Sequence, residues 1–322
     1  MPIMSKLAVF LFMLCCVQRG AAQLPIDSII TIASLKENVT ALAHDSMQGR
    51  LTAGVPLLRA ALYIEKQFQN AGLEKIKGYE DFFWRYRFTA HSGGQAGLAV
   101  NIVGALPGDS AKVVIFTAHY DHIGTTNFGI LRGAAPGNRK DSIYNGANDN
   151  ATGVAALIEL AKYYAARKTN KYALVFIAFS GEEAGMVGSA TYVNEIDPRF
   201  IIKVINLEML GRPSSGSREG AFLAGGDFER FRKQMNSNLY AADPTFGKRH
   251  FSYDPYPESF LDRRSDSYSF FRKGVNAFTI MATSPKDEYY HSVGDEVETI
   301  NFNFLHKNVK AIALACEPFL SE

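Results

Sequence analysis

The chain has 322 residues, 47% of them apolar and 20% charged, enough to bury a substantial core in one large domain or two smaller ones. Its 34 basic and 32 acidic residues nearly cancel, and no Lys/Arg block is long enough to form a nucleic-acid or membrane-surface patch. No nucleic-acid partner is expected, and function has to be sought in a localised site.

At the amino terminus, Lys6 precedes an apolar run from Leu7 to Val17 and the small residues Gly20, Ala21 and Ala22. This pattern predicts a secretory signal over 1–22, with a single domain over 23–322 and a periplasmic or secreted location. The run is shorter than the ~20 apolar residues of a spanning helix, and no later segment is a better candidate, so no membrane span is expected. Lipid attachment at Cys16 is disfavoured by Met13, Leu14 and Cys15 before it. Cys15 and Cys16 lie inside the signal, which leaves Cys316 alone. No internal disulfide is expected, and Cys316 reads as a small packing residue.

From Asp27 to about Leu73 the apolar spacing is helical, as in LLRAALYIEKQFQNAGL, with Gly72 as the stop. Strand-like runs follow at 82–89, 98–106 and 112–120. The last, KVVIFTAHY, is apolar on consecutive positions, as a strand covered on both faces would be. Residues 124–148 are rich in Gly, Asn and Pro and predict a long loop. A helix (TGVAALIELAKYYAAR), a strand at 172–180, a helix (EAGMVGSATYVNEI) and a strand at 200–210 then alternate, which signals parallel βαβ units. A helix near 228–240, an irregular stretch with Pro244, Pro255 and Pro257, a short helix at SDSYSFFRKG, a strand at 275–281 and a closing helix from Asn303 to Leu320 complete the chain. There is no internal repeat or linker. The predicted fold is α/β, a single domain with a central mixed, mostly parallel sheet flanked by helices.

In parallel α/β sheets ligands bind beyond the carboxyl ends of the strands. His119 and Asp121 end KVVIFTAHY, Glu182 and Glu183 follow the 172–180 strand, and Glu208 ends FIIKVINL. Asp149 opens the helix after the long loop, and His291 follows VNAFTIM by a short loop. Singly, each has an ordinary reading: a hydrogen-bonded core histidine at His119, a helix cap at Asp149, a helix-starting Glu-Glu pair at 182–183. Glu208, flanked by Leu207 and Met209, is harder to account for, because a charge at the end of so apolar a strand is costly unless paired or ligated. All fall on one sheet edge, and imidazole with carboxylate is the donor set of zinc, for one ion or two.

HYDHIG, NGANDNATG, SGEEAGMVGS, INLEMLGR and YYHSVGD resemble, in order, the motifs of the co-catalytic zinc aminopeptidases of the bacterial leucyl aminopeptidase and aminopeptidase Y type. The likeness spans roughly residues 40 to 315 and implies the zinc exopeptidase, phosphorylase/hydrolase-like fold. It implies that His119 and Glu208 bind one zinc, Glu183 and His291 the other, with Asp149 bridging. Glu182 would be the general base and Asp121 would orient His119. Tyr290 would donate to the oxyanion, and the Asp149–Asn150 peptide would be cis. The chain departs from the family in carrying Glu208 where Asp is usual, and Glu208 is expected to ligate with the strand or rotamer adjusting. The activity implied is hydrolysis of N-terminal residues from peptides with a free amino terminus, through a metal-activated water.

Glutaminyl cyclases share the fold and similar motifs with a single zinc, and Asp266 aligns with an aspartate they use. They have Trp before the last His where this chain has Tyr290, and INLEMLGR is the aminopeptidase style. A carboxypeptidase would need a cation for the substrate carboxylate, for which Arg263 or Arg264 is available. A non-catalytic binding homologue would lack ligands or base, and this chain keeps both.

Overall fold

A computed structural model describes residues 24–52, 54–89, 96–126, 141–214, 220–224 and 228–321. The predicted signal and most of the predicted loop at 124–148 lie outside them.

The consecutive apolar positions that predict strands covered on both faces form the middle of the molecule. The strands are β1 (Phe83–Thr89), β2 (Ala96–Leu106), β3 (Ser110–His119), β4 (Tyr172–Phe179), β5 (Ile201–Glu208), β6 (Phe222–Ala224), β7 (Ser252–Tyr253) and β8 (Ala277–Met281). They make one eight-stranded sheet in the order β1-β2-β4-β3-β5-β8-β6-β7. The central β4, β3, β5 and β8 run parallel, whereas β2 pairs antiparallel with β1 and β4, and β6 pairs antiparallel with β8 and parallel with β7. The sheet is therefore mixed and mostly parallel at its centre, as predicted. β6 and β7, three and two residues long, are too short to leave a period-two signature and were not predicted.

The helices are α1 (Ile26–Ile29), α2 (Ile32–Leu42), α3 (Val55–Asn70), α4 (Thr152–Arg167), α5 (Val187–Glu195), α6 (Glu229–Ala242), α7 (Ser267–Phe271) and α8 (Phe302–Cys316). They cover both faces of the sheet. The larger core joins Val114, Phe116 and Ala118 of β3 to Leu157, Ile158 and Leu160 of α4 and to Leu305, Val309 and Ile312 of α8. On the other face Ile115 and Ile177 meet Tyr192 of α5 and Phe270 of α7. The alternation of Val114/Phe116/Ala118 against Ile115 is the period of two expected of a strand buried on both sides. Cys316 is buried in the larger core. Among the described residues no helix is long and apolar enough to cross a membrane.

Two predicted helix starts are displaced, and both displacements serve the sheet edge. The helix read from Glu183 begins only at Val187, because residues 182–186 form a tight turn in which Glu182 O accepts from Gly185 and Met186 N–H. Asp149 does not open α4. It lies in a widened turn, Ala147–Ala151, with φ −108° and ψ 91°, and the helix starts at Thr152.

Candidate metal centre

The four parallel strands end side by side and deliver the candidate residues. His119 is the last residue of β3 and Glu208 the last of β5. Glu182 and Glu183 follow β4, and His291 is reached from β8 by a short loop. The turn before α4 brings Asp149 between them, and its peptide bond to Asn150 is cis.

Asp149 divides its two oxygens. Oδ1 lies 3.3 Å from His119 Nε2, which is also 3.1 Å from Glu208 Oε1. Oδ2 lies 3.4 Å from His291 Nε2, which is also 3.1 Å from Glu183 Oε2. Zinc with N/O bonds of 2.0–2.1 Å in a tetrahedron holds its ligands ~3.3–3.4 Å apart, and these four separations bracket that edge. His291 Nε2, though close to two carboxylate oxygens, is buried without the alignment of a hydrogen bond to either. It aims between them, where a cation would sit. The donor chemistry and spacing fit zinc. His119, Asp149 and Glu208 form one group able to hold an ion, and His122, Asp149 and Glu183 form another with His291 beside it.

Buried charges on this edge polarise one another. At His119 burial disfavours the cation, but Glu208 and Glu182 outweigh it and hold the imidazole pKa well above its ordinary value. His291 is raised to about 10: burial lowers it, and Asp149 and Glu183 more than reverse that. Burial pushes Asp149 and Glu183 up, yet the facing imidazoles win; Asp149 falls well below the usual carboxylate range and Glu183 to about 2. Glu208 and Glu182 end above their ordinary values, burial being the main cause and His119 only partly opposing it. A cluster so rich in carboxylates calls for cations.

Asp121 is fully buried, and it acts on His119 through its backbone. His119 Nδ1 donates to the Asp121 carbonyl at 3.2 Å, whereas the nearer carboxylate oxygen is 3.7 Å away. That carboxylate instead accepts from Thr52 Oγ1 at 2.7 Å and from the Glu182 N–H at 3.2 Å. It therefore ties the residue after β3 to the turn after β4, and so helps to set where Glu182 points.

Four supporting residues carried no assignment from sequence. Arg50, 1% exposed, donates from Nε to Tyr120 O, from Nη1 to Leu42 O and Asn145 O, and from Nη2 to Gly146 O. One guanidinium thereby joins three segments under the centre, and its burial lowers its pKa to about 10. Asp295 accepts from the Asn148 and Asp149 N–H groups and from Arg212. Ser265 donates to Glu208 Oε2 at 2.8 Å. His122 Nδ1 donates to Glu183 Oε1 at 2.7 Å. His122 and Asp295 stand inside the motifs HYDHIG and YYHSVGD and could have been singled out there. Among the described residues Arg50 bonds only to carbonyls, which every residue has, so no residue pattern announces it.

The centre opens into a cleft lined by His119, Asp149, Glu182, Glu208, Met209, Leu261, Arg264, Met281 and Tyr290 among others. Tyr290 stacks on His291 with ring centroids 4.0 Å apart, and its hydroxyl accepts from Arg264 Nη2 at 3.2 Å. The phenol proton thus remains available to an acceptor. Arg264 reaches the cleft, while Arg263 contacts Asp262 and Phe260. Asp266 is fully buried, with no hydrogen-bond partner on either oxygen among the described residues, and burial, helped by Asp121 and Glu208 and only partly opposed by His119, pushes it up to about 7.

Residues 101–316 match the model described as Peptidase family M28. A probable leucine aminopeptidase of Arthroderma otae is 26% identical over 223 residues, covering 66% of this chain and 55% of the relative. The chain spans about half the length of the curated relatives it matches: 55% in that case and 42% of a probable leucine aminopeptidase 2 of Arthroderma benhamiae. Among solved structures, a zinc aminopeptidase from Bacillus subtilis superposes with a TM-score of 0.66 at 15% identity, over 91% of this chain and 96% of that one. A glutaminyl cyclase from Porphyromonas gingivalis gives 0.67 at 16%, over 91% and 98%. Both share the fold.

Proposed function

The chain belongs to peptidase family M28, and from that membership and the geometry of its centre we propose a zinc-dependent exopeptidase: an aminopeptidase that removes N-terminal residues from peptides with a free amino terminus. The observation that carries this reading is the division of Asp149. Each of its oxygens faces a separate His/carboxylate pair, His119 with Glu208 and His291 with Glu183, as a residue bridging two ions would. A complete pair on each side favours two zinc ions over one.

Bound zinc would supply Lewis acidity, lowering the pKa of a coordinated water and polarising the scissile carbonyl. The chain's own groups do the rest. Glu182 faces the cleft; it takes a proton from the attacking water as the C–O bond forms, and returns it to the leaving amine as the C–N bond breaks. The Tyr290 hydroxyl, with Arg264 donating to its oxygen, has its proton free for the developing oxyanion. Glu208 supplies the same oxygen donor as an aspartate would, its second oxygen fixed by Ser265.

The purified chain should bind close to two zinc ions and hydrolyse aminoacyl chromogenic amides. One bound zinc with release of pyroglutamyl product from N-terminal glutamine would replace this reading by the cyclase. Asp266, buried without a hydrogen-bond partner among the described residues, is the observation that favours that second reading, because the sequence likeness aligns it with an aspartate that cyclases use. Export is also proposed, on Lys6 and the apolar run from Leu7 to Val17; fractionation of cells expressing the full chain tests it, and retention in the cytoplasm would refute it.

A further inference from the structure

We infer that His122 is a positioning residue for the second metal: it holds the outer oxygen of Glu183, so that the inner oxygen is presented with Asp149 and His291. It rests on the reading that Asp149, Glu183 and His291 bind an ion, and it stands whether or not the His119 side is filled.

The ring is fixed from three directions. Its backbone N–H donates to Arg50 O at 3.2 Å, which extends the β3 edge by an isolated bridge to Leu51. Behind it lies Gly146 at φ +57°, where an added Cβ would come within 2.6 Å of the imidazole Cγ and Cδ2. In front, the His291 ring meets it edge to face, with centroids 5.7 Å apart. His122 is fully buried, so a given rotamer and tautomer persist.

Geometry separates holding from ligation. His122 Nδ1 is 2.7 Å from Glu183 Oε1 and 3.8 Å from Asp149 Oδ2. The first is a hydrogen-bond length and too short for two ligands of one zinc; the second is too long for the ~3.3–3.4 Å edge of such a site. His291, at 3.1 and 3.4 Å from the inner oxygens, matches that edge. The other ring nitrogen, Nε2, is buried without a partner among the described residues. A buried lone pair without a donor is tolerated better than a buried N–H without an acceptor, which puts the proton on Nδ1, facing the carboxylate. The two Glu183 oxygens then differ in role, Oε1 accepting from His122 while Oε2 is left for the ion. Outer contacts of this kind commonly contribute ~10–100-fold in metal affinity.

The test compares His122→Leu, which cannot donate, with His122→Asn, whose amide nitrogen falls near the Nδ1 position. Zinc affinity is measured by competition with a chromophoric chelator, in the otherwise native chain and in a His119→Ala background that retains the Asp149, Glu183 and His291 donors. His122→Leu should weaken the second site ~10–100-fold and leave the His119/Glu208 step unchanged, and His122→Asn should recover most of the loss. Unchanged affinity in His122→Leu overturns the inference. Equal losses in Leu and Asn variants also overturn it, because they would make the ring a direct ligand or a packing element. If instead the His119→Ala chain binds no zinc, or binds it equally after Glu183→Gln, the reading of the second site itself fails, and the role assigned to His122 falls with it.

Discussion

At the scale of the residue, Glu182 and Glu208 separate proton transfer from metal binding. Glu182 faces the cleft and, among the described residues, makes no contact with an imidazole at hydrogen-bond distance, while Glu208 lies 3.1 Å from His119. Glu182→Gln should therefore lower kcat by about 10²–10⁴-fold with zinc content unchanged; loss of zinc in that variant would make Glu182 a ligand. Glu208→Asp shortens the arm by one methylene on a fixed strand end. It should withdraw the oxygen from His119 and break the Ser265 contact, weakening zinc at the first site by ~10-fold in a chelator competition. Equal or tighter binding would mean that the strand end moves to compensate. The residues for which sequence made a chemical case, His119, Asp149, Glu183, Glu208 and His291, lie together on one edge because strand ends can be read from apolar runs. What holds them there was not readable in the same way: Arg50 acts through carbonyls, and Asp121, which the family likeness names as orienting His119, reaches that ring with its backbone carbonyl.

At the scale of the element, the approach of α4 to the end of β5 matters most. Asn150 accepts from the Gly153 and Met209 N–H groups and donates to Leu207 O, so the turn carrying Asp149 is laced to the strand carrying Glu208. A Cβ on Gly153 would lie 2.5 Å from Leu207 O and 2.3 Å from Asn150 Oδ1. Gly153→Ala should push the helix from the strand, cost ~1–3 kcal/mol in denaturant unfolding, and weaken zinc binding at the same time. A stable variant with full zinc affinity would show that the approach is slack. The longer elements were legible because each carries a sustained period of two or of 3.6. The helix starts were not, because the residues that interrupt them, 147–151 and 182–186, are bent for the site rather than by local preference. Away from the centre, His250 joins the segment before β7 to α8 by donating from Nε2 to Asn308 Oδ1 at 3.0 Å. Burial, with Lys307 adding to it, lowers its pKa to about 4, and the Asn308 contact only partly opposes this. The native state thus binds this proton more weakly than the unfolded chain, whose histidine titrates near 6.5. Stability from this residue is complete above pH ~6.5, declines as pH falls towards 4, and the total loss is ~3 kcal/mol. His250→Gln should flatten that part of the stability–pH curve; an unchanged slope would locate the acid sensitivity elsewhere.

At the scale of the whole molecule, the sheet edge concentrates acidic groups that the fold alone does not neutralise. Asp121, Asp149, Glu208 and Asp266 are buried there with Glu182 and Glu183 beside them, and among the described residues the cations buried with them are Arg50 and whatever protons the histidines hold. Metal-free protein should accordingly be the less stable form. Zinc at 1,000 times its Kd adds ~4 kcal/mol per independent site, so chelation should lower the Tm and added zinc restore it. The same electrostatics set the pH dependence of loading. Without metal, the facing carboxylates raise both imidazoles, His119 well above its ordinary value and His291 to about 10, which favours their charged forms. A metal ligand must be the neutral imidazole, and each ion therefore displaces at least one proton as it binds. Affinity should rise with pH through the neutral range, by roughly tenfold per pH unit for each proton released. Calorimetric titrations of zinc into the metal-free chain, run in two buffers of different ionisation enthalpy, count those protons directly. Affinity that is flat between pH 6 and 8, with no buffer dependence of the heat, would mean that the imidazoles are already neutral and that the carboxylates do not hold them charged.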